Sequence, residues 1–224
     1  FKPAWRDILL PMVKPNGRII WMEDSSQMIY QNSEVREWKN WLKFNSVTNF
    51  RSPRVVVDLI NALLLTEEPI IPACPFDGEA TVLKEYKESD PEDVFRQTEK
   101  VVKDLLSAGF RPDGIVVVSF SGARKSSILN SNKTQIAGKA IKKVIGYDHN
   151  HQLKWSSGEI LVDTIYRFKG LSADAVVVTE IDFNQWDSHT KRKLFVAMTR
   201  ARLRLILVVS SKAEILINDL VSMY

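Results

Sequence analysis

The sequence has one cysteine in 224 residues, so no disulfide can close within the chain. Cys74, with no secretory apolar leader pattern ahead of it, fits a reducing cytoplasm better than an export route. Long apolar runs are missing too. Those present are short or broken by residues such as Asp58 and Asn61, which excludes a membrane-spanning helix. There is no internal repeat or low-complexity tract, and no G-x-x-x-x-G-K-[ST] phosphate loop. His149 and His151 stand near Asp148 without a cysteine or third histidine nearby, so a solvated loop is expected there rather than a metal site. Lysine and arginine total 31 against 27 acids, a net charge of +4, which permits contact with a polyanion without demanding it. The clusters Lys139/Lys142/Lys143 and Lys191/Arg192/Lys193 read as solvated faces. The chain opens on Phe1 with no initiator methionine, and a piece of a longer protein is expected.

What is present is a set of continuous β-branched runs. Residues 160–165, 175–179 and 205–209 are rich in apolar and β-branched residues, as is Gly114–Phe120; runs of this kind suit strands buried on both faces of a parallel sheet. Between them lie helical patterns. Val55, Val56, Leu59, Ile60 and Leu63 recur at helical spacing after Pro53, with Arg51 just ahead of the helix start. Asp90–Ser107 reads as an amphipathic surface helix ended by Gly109, and Ala213 to Met223 as a closing one. Residues 4–14 are expected to be helical, Arg18–Met22 a short strand, Ala80–Tyr86 another strand, and Trp38, Trp41 and Phe44 an amphipathic segment. Residues 122–158, rich in Ser, Asn, Lys and Gly, are expected to form a variable or mobile insertion. The alternation predicts an α/β fold, a mostly parallel sheet with helices on both faces.

Gln27, Arg51, Lys169 and Arg200 are each expected at strand carboxyl ends or on adjoining helices. In a doubly wound sheet those ends share one edge, where a single phosphate-bearing ligand would meet all four. For Asp24 or Ser25 the plainer reading is that it caps the next helix.

Four stretches resemble the motifs of superfamily one, UvrD/Rep-like DNA helicases, and in the family's order. Asp24-Ser-Ser-Gln27-Met-Ile-Tyr30 resembles motif III, Asn49-Phe-Arg51-Ser-Pro53 motif IV, Thr164-Ile-Tyr-Arg-Phe-Lys169-Gly170-Leu171 motif V, and Leu194-Phe-Val-Ala-Met-Thr199-Arg200-Ala201-Arg202 motif VI. The resemblance implies a RecA-like domain of the P-loop NTPase type that lacks the phosphate-loop half. Residues 1–45 would join it to the first RecA-like domain, and 46–224 would form the second, with the insertion around 122–158. By position, Gln27 would sense the γ-phosphate, and Arg51 and Arg200 would act as arginine fingers. Phe50 would stack on adenine, Lys169 and Gly170 would line the ATP site, and Tyr30, Tyr166 and Arg167 would meet nucleic acid. The partners implied are ATP with Mg2+, held mainly by the absent first domain, single-stranded or partly duplex DNA, and that first domain itself. No membrane partner is implied. The parent would be an ATP-dependent helicase, and the isolated chain is expected to be inactive.

The chain departs from the family where Glu23 replaces a usual glycine, Asn32 a second aromatic, Phe50 a frequent tyrosine, Tyr166 a histidine and Ser172 a glutamate. These departures keep a second reading open: a degenerate, non-catalytic RecA-like module serving as a nucleic-acid or protein-binding scaffold. The short span between motifs IV and V implies a compact relative without a large accessory domain.

Overall fold

The computed structural model describes residues 7–29, 41–90, 92–183 and 185–223. Its centre is a seven-stranded sheet. Five strands run parallel: β3 (Val82–Tyr86), β4 (Ile115–Ser119), β9 (Ile160–Thr164), β10 (Ala173–Ile181) and β11 (Ala201–Ser210). They are joined by β5 (Gln135–Ile136) and β6 (Lys139–Lys142) in the order β3-β11-β10-β4-β9-β6-β5, and only the β5–β6 pair is antiparallel. Outside it lie two small pairs, β1 (Thr48–Asn49) with β2 (Ile71–Pro72), and the hairpin of β7 (Val144–Tyr147) and β8 (Leu153–Trp155).

Side chains alternate between two buried layers, as the two-residue period of a strand requires. On one face Val116, Val118, Val176, Val178, Leu205, Leu207 and Val209 meet four helices: α1 (Arg54–Ala62), α4 (Ile165–Phe168), α5 (Ser188–Met198) and α6 (Ser211–Ser222). On the other, Ile115, Val117, Ala175, Val177, Ile206 and Val208 pack under α2 (Asp93–Ser107) and α3 (Ser127–Asn130). Helices on both faces of a mostly parallel sheet are the expected α/β class. Full burial of side chains such as Ile60, Leu63, Val117 and Leu207 stabilises by about 1.5–3 kcal/mol each, before the entropy of ordering is set against it.

The ends of the chain hold the differences. Residues 7–9 are helical, but a 3-10 turn, Leu10–Met12, takes over where Pro11 lacks the N–H that would continue an α-helix. Arg18–Met22 joins no strand of the sheet. Among the described residues it has no ladder partner, and Ile20 is 85 % exposed. Trp38 lies outside the described residues; from Trp41 to Phe44 there is no helix, and Phe44 is exposed, so the amphipathic segment does not form there. A stretch this short lacks the length to sustain a helix without a packed face. Residues 122–158 contain α3, β5, β6 and the β7–β8 hairpin, and β6 is laid into the sheet against β9.

Candidate functional site

The chain segment around Asp24 folds as a 3-10 turn, Ser25–Gln27, whose N-cap is Asp24: its carboxylate accepts from Ser26 N at 3.0 Å. The plain capping role is therefore real. The same carboxylate also accepts from Gln27 Nε2 at 2.6 Å, and the turn packs against α5. That contact brings it to Arg200.

Arg200 occupies the two-residue junction between the end of α5 and the start of β11. It is 2 % exposed. Its Nε donates to Val196 O at 3.0 Å, its Nη2 to Thr199 Oγ1 at 2.9 Å, and its Nη1 to Leu171 O at 3.4 Å. Burial lowers its pKa from the ordinary arginine value, the nearby charge of Arg51 lowers it further, and Asp24 opposes both. Lys169 behaves alike. Burial and then Arg200 lower its pKa, and Asp24 again opposes. Arg51 and Lys169 are thus each coupled to Arg200, and Asp24 acts on both Lys169 and Arg200. Like charges crowded in a partly desolvated place repel one another, and an anion among them offsets that repulsion.

The edge on which they meet is the opposite of the one expected. Lys169 precedes β10 and Arg200 precedes β11, and Ala173 N donates to Arg200 O at 3.1 Å. The cluster therefore lies at the amino ends of the central strands. Residues 165–172 carry the chain from the carboxyl end of β9 back to the amino end of β10, with only the one-turn α4 between, and so short a crossover delivers Lys169 to the far edge. Arg51 comes from the bend before α1, its backbone N held by Asn49 Oδ1 at 2.9 Å and its side chain exposed. Phe50 beside it is 70 % exposed. Gly170 takes φ +90°, a conformation glycine adopts at no steric cost.

The residues expected to meet nucleic acid are placed apart. Tyr30 lies outside the described residues. Tyr166 stands just past the carboxyl end of β9, where its ring is 5.8 Å from Lys193 Nζ. Arg167 turns back to the buried Asp163, with Nε donating at 2.5 Å. Its guanidinium serves an i,i+4 ion pair rather than an open surface.

Residues 159–208 match the UvrD-like helicase C-terminal domain family. The match takes in Thr164–Leu171 and Leu194–Arg202, the two stretches that resemble motifs V and VI, while Asp24–Tyr30 and Asn49–Pro53 fall outside it. A solved structure described as the C-terminal domain of a possible DNA helicase from Lactobacillus plantarum is similar at 17 % identity and a TM-score of 0.49, covering 72 % of this chain and 87 % of that one. No curated protein matches the chain. Among the described residues no helix is long and apolar enough to cross a membrane, and no group of three His, Cys, Asp or Glu side chains is placed to hold a metal.

Sequence reasoning passed over two residues inside the UvrD-like stretch. Glu180 is 4 % exposed and lies in a bulge of β10 between Val178 and Ile181, at φ +60°. Its carboxylate accepts from Ser119 Oγ at 2.5 Å, Ser127 N at 2.6 Å and Ile128 N at 3.2 Å. The available signal was an acid inside an otherwise apolar strand. Lys193, grouped with Lys191 and Arg192 as a solvated face, is instead half-buried, with Nζ 3.9 Å from the centroid of Phe120. Its place directly before Leu194, the first of a buried run, was the clue.

Proposed function

We propose that this chain is the second RecA-like domain of an ATP-dependent DNA helicase or translocase, supplying cations to a nucleotide held mainly by a first domain. The observation that carries the reading is the electrostatic coupling of Arg51 and Lys169 to Arg200, with Asp24 beside Lys169 and Arg200. The UvrD-like match over 159–208 supports it. In this reading the triphosphate, bound with Mg2+ by the first domain, brings negative charge to these cations. Arg51 and Arg200 then stabilise the negative charge that develops on the γ-phosphoryl oxygens, an effect worth about 10³-fold or more in rate for an arginine finger. Gln27 reports on that phosphate through Asp24, and Phe50 offers its exposed ring to adenine. Tyr166 is the contact to single-stranded DNA.

Arg51→Ala in the parent protein is the cleanest test, because the side chain is exposed and its removal leaves packing alone. ATP turnover should fall at least about 10²- to 10³-fold with the thermal melt unchanged. Arg200→Ala should abolish turnover as well, but also destabilise by roughly 1–3 kcal/mol, since Val196 O and Leu171 O lose their donor. Normal turnover in Arg51→Ala would sink the assignment. So would ATP hydrolysis by the isolated chain, which has no phosphate loop.

One observation favours the scaffold reading: the Arg200 guanidinium is already spent on three oxygens of its own chain. In that case both arginine variants of the parent bind and turn over ATP no differently from the unsubstituted protein.

A further inference from the structure

The connections of the sheet part company between β4 and β10. From β4 the chain leaves over the face covered by α2 and α3, toward β5, β6 and β9; from β10 it leaves over the opposite face through α5, toward β11. Where neighbouring strands send their connections in opposite directions, a crevice opens beyond their carboxyl ends, and α/β sheets take ligands there. A cavity of about 190 Å³ lies at this place and extends to the end of β3. It is acidic. Glu180 and Asp182 come from β10 and its exit, Glu88 and Asp90 from the turn between β3 and α2. Asp90 is held by Arg96 at 2.7 Å, and Asp182 accepts from Ser210 Oγ at 2.9 Å and Lys212 Nζ at 3.0 Å through one oxygen, Oδ1. Glu88 is exposed and has no hydrogen bond or ion pair among the described residues. Lys125 stands on the rim, yet among the described residues it is within ion-pair distance of none of the four acids.

Tyr86 points to a ligand independently. The last residue of β3, it is 8 % exposed, with its ring in the core under α2, and it lines the same cavity. Among the described residues its hydroxyl has no hydrogen-bond partner. Burial raises the pKa of that hydroxyl above its ordinary value, and Asp182, Glu180 and Glu88 raise it further, which places it on the side of the cavity acids. A buried hydroxyl left without a partner is costly, and a ligand N–H supplies the missing bond. The spacing of the acids selects the ligand. Among the described residues no three of them converge closely enough to share a metal ion. Dispersed acceptors suit a cation whose donors diverge, and a guanidinium spreads five N–H groups over a planar fork and is weakly hydrated. The cavity is also smaller than the about 300–1,000 Å³ of small-molecule sites, and its lining is mainly polar where theirs is apolar. One side-chain head fits it. We propose that this cavity is a socket for an arginine side chain of a partner protein, the guanidinium donating to Tyr86 Oη, Glu88 and Asp182. The socket lies on the opposite edge from Lys169 and Arg200, so it stands or falls separately from the helicase reading.

The test is an NMR titration of the whole chain at constant ionic strength, following the backbone amides of Ser121, Ser127 and Glu180, with N-acetylarginine amide as the probe. Saturable shifts at these amides are expected. N-acetyllysine amide should bind several-fold more weakly, because an ammonium presents its donors from a single point. Tyr86→Phe and Glu88→Gln should each weaken binding of the arginine probe several-fold, and Lys125→Gln should tighten it by removing a like charge from the rim. Tyr86→Phe should leave the melting temperature of the free chain unchanged, since the hydroxyl bonds nothing within it; a lowered melt would mean that the hydroxyl is already partnered and would overturn the proposal. So would the absence of saturable shifts, equal affinity for the two probes, or unchanged affinity in both Tyr86→Phe and Glu88→Gln. Binding of n-butylguanidinium without binding of N-acetylarginine amide overturns it as well, because the cavity then takes a free guanidino compound and no protein side chain.

Discussion

Replacing Glu180 separates a backbone strain from a hydrogen-bond network in one position. Alanine removes the acceptor of one hydroxyl and two backbone N–H groups, at 2.5, 2.6 and 3.2 Å. Hydrogen bonds to a charged group are worth about 1.5–3 kcal/mol each, but they do not add, and desolvation of the carboxylate offsets part of the sum. A net loss of about 2–4 kcal/mol is expected. Glutamine keeps one carbonyl for the two N–H groups and lets the Ser119 hydroxyl turn to accept, so it should lose about 1–2 kcal/mol. Glycine forfeits the same bonds as alanine but relieves the positive φ of +60°, which disfavours a residue with a Cβ by roughly 1–2 kcal/mol. The expected order of stability is therefore Gln, then Gly, then Ala. Urea unfolding followed by circular dichroism measures it, with an unchanged denaturant slope confirming that the variants unfold from the same compact state. A glycine variant less stable than the alanine one, or an alanine variant within about 0.5 kcal/mol of the parent sequence, would refute the account of Glu180.

Gly158 is a second sensitive point, because a Cβ there would lie 2.3 Å from Ile141 C and 2.4 Å from Lys142 N, both backbone atoms. Gly158→Ala must push β6 off β9 and should lower stability by about 1–3 kcal/mol; an unchanged melting temperature would contradict the packing. The third concerns acid. The Lys87 N–H, then the Gln97 amide and Arg96, hold the Asp93 carboxyl below the usual aspartate range. Stability from this group is present above about pH 3.9, the ordinary aspartate value, and is lost as pH falls through the lowered one. The stability gap between the unsubstituted chain and Asp93→Asn should accordingly shrink between pH 7 and pH 3, and a constant gap would remove Asp93 from the acid response.

The sheet was legible because its central strands are buried on both faces. Ile115–Ser119, Ile160–Thr164 and Leu205–Val209 are dominated by apolar, β-branched residues and admit few alternatives, and α1 and α2 declared themselves by period. Of the four residues expected together, Gln27, Arg51, Lys169 and Arg200, the last three lie near enough for Arg51 and Lys169 each to be coupled to Arg200, and Gln27 is tied to the neighbouring Asp24. Their edge was not legible, since it depends on how a short crossover returns across the sheet, and no local pattern in residues 165–172 encodes the length of that return. The N-terminal segment misled for a different reason. Ile19, Ile20 and Met22 have the composition of a strand, but a strand exists only through its neighbour, and among the described residues none pairs with it. Lys193 was hidden by its company: three consecutive basic residues read as one surface, although a helix points neighbours in different directions, and only the third lies over Phe120.

Arg200 sits where helix passes directly into strand, with Thr199 as its sole companion between Met198 and Ala201. A group on a long loop is placed by that loop's own compromises and drifts with them. Here there is no slack to drift. The guanidinium takes its coordinates from the frame built by α5 and β11, so its accuracy belongs to the entire layer and is only as good as that layer's most distant packing contact. Local breathing cannot retune it, and repositioning Arg200 by more than a rotamer means moving the domain.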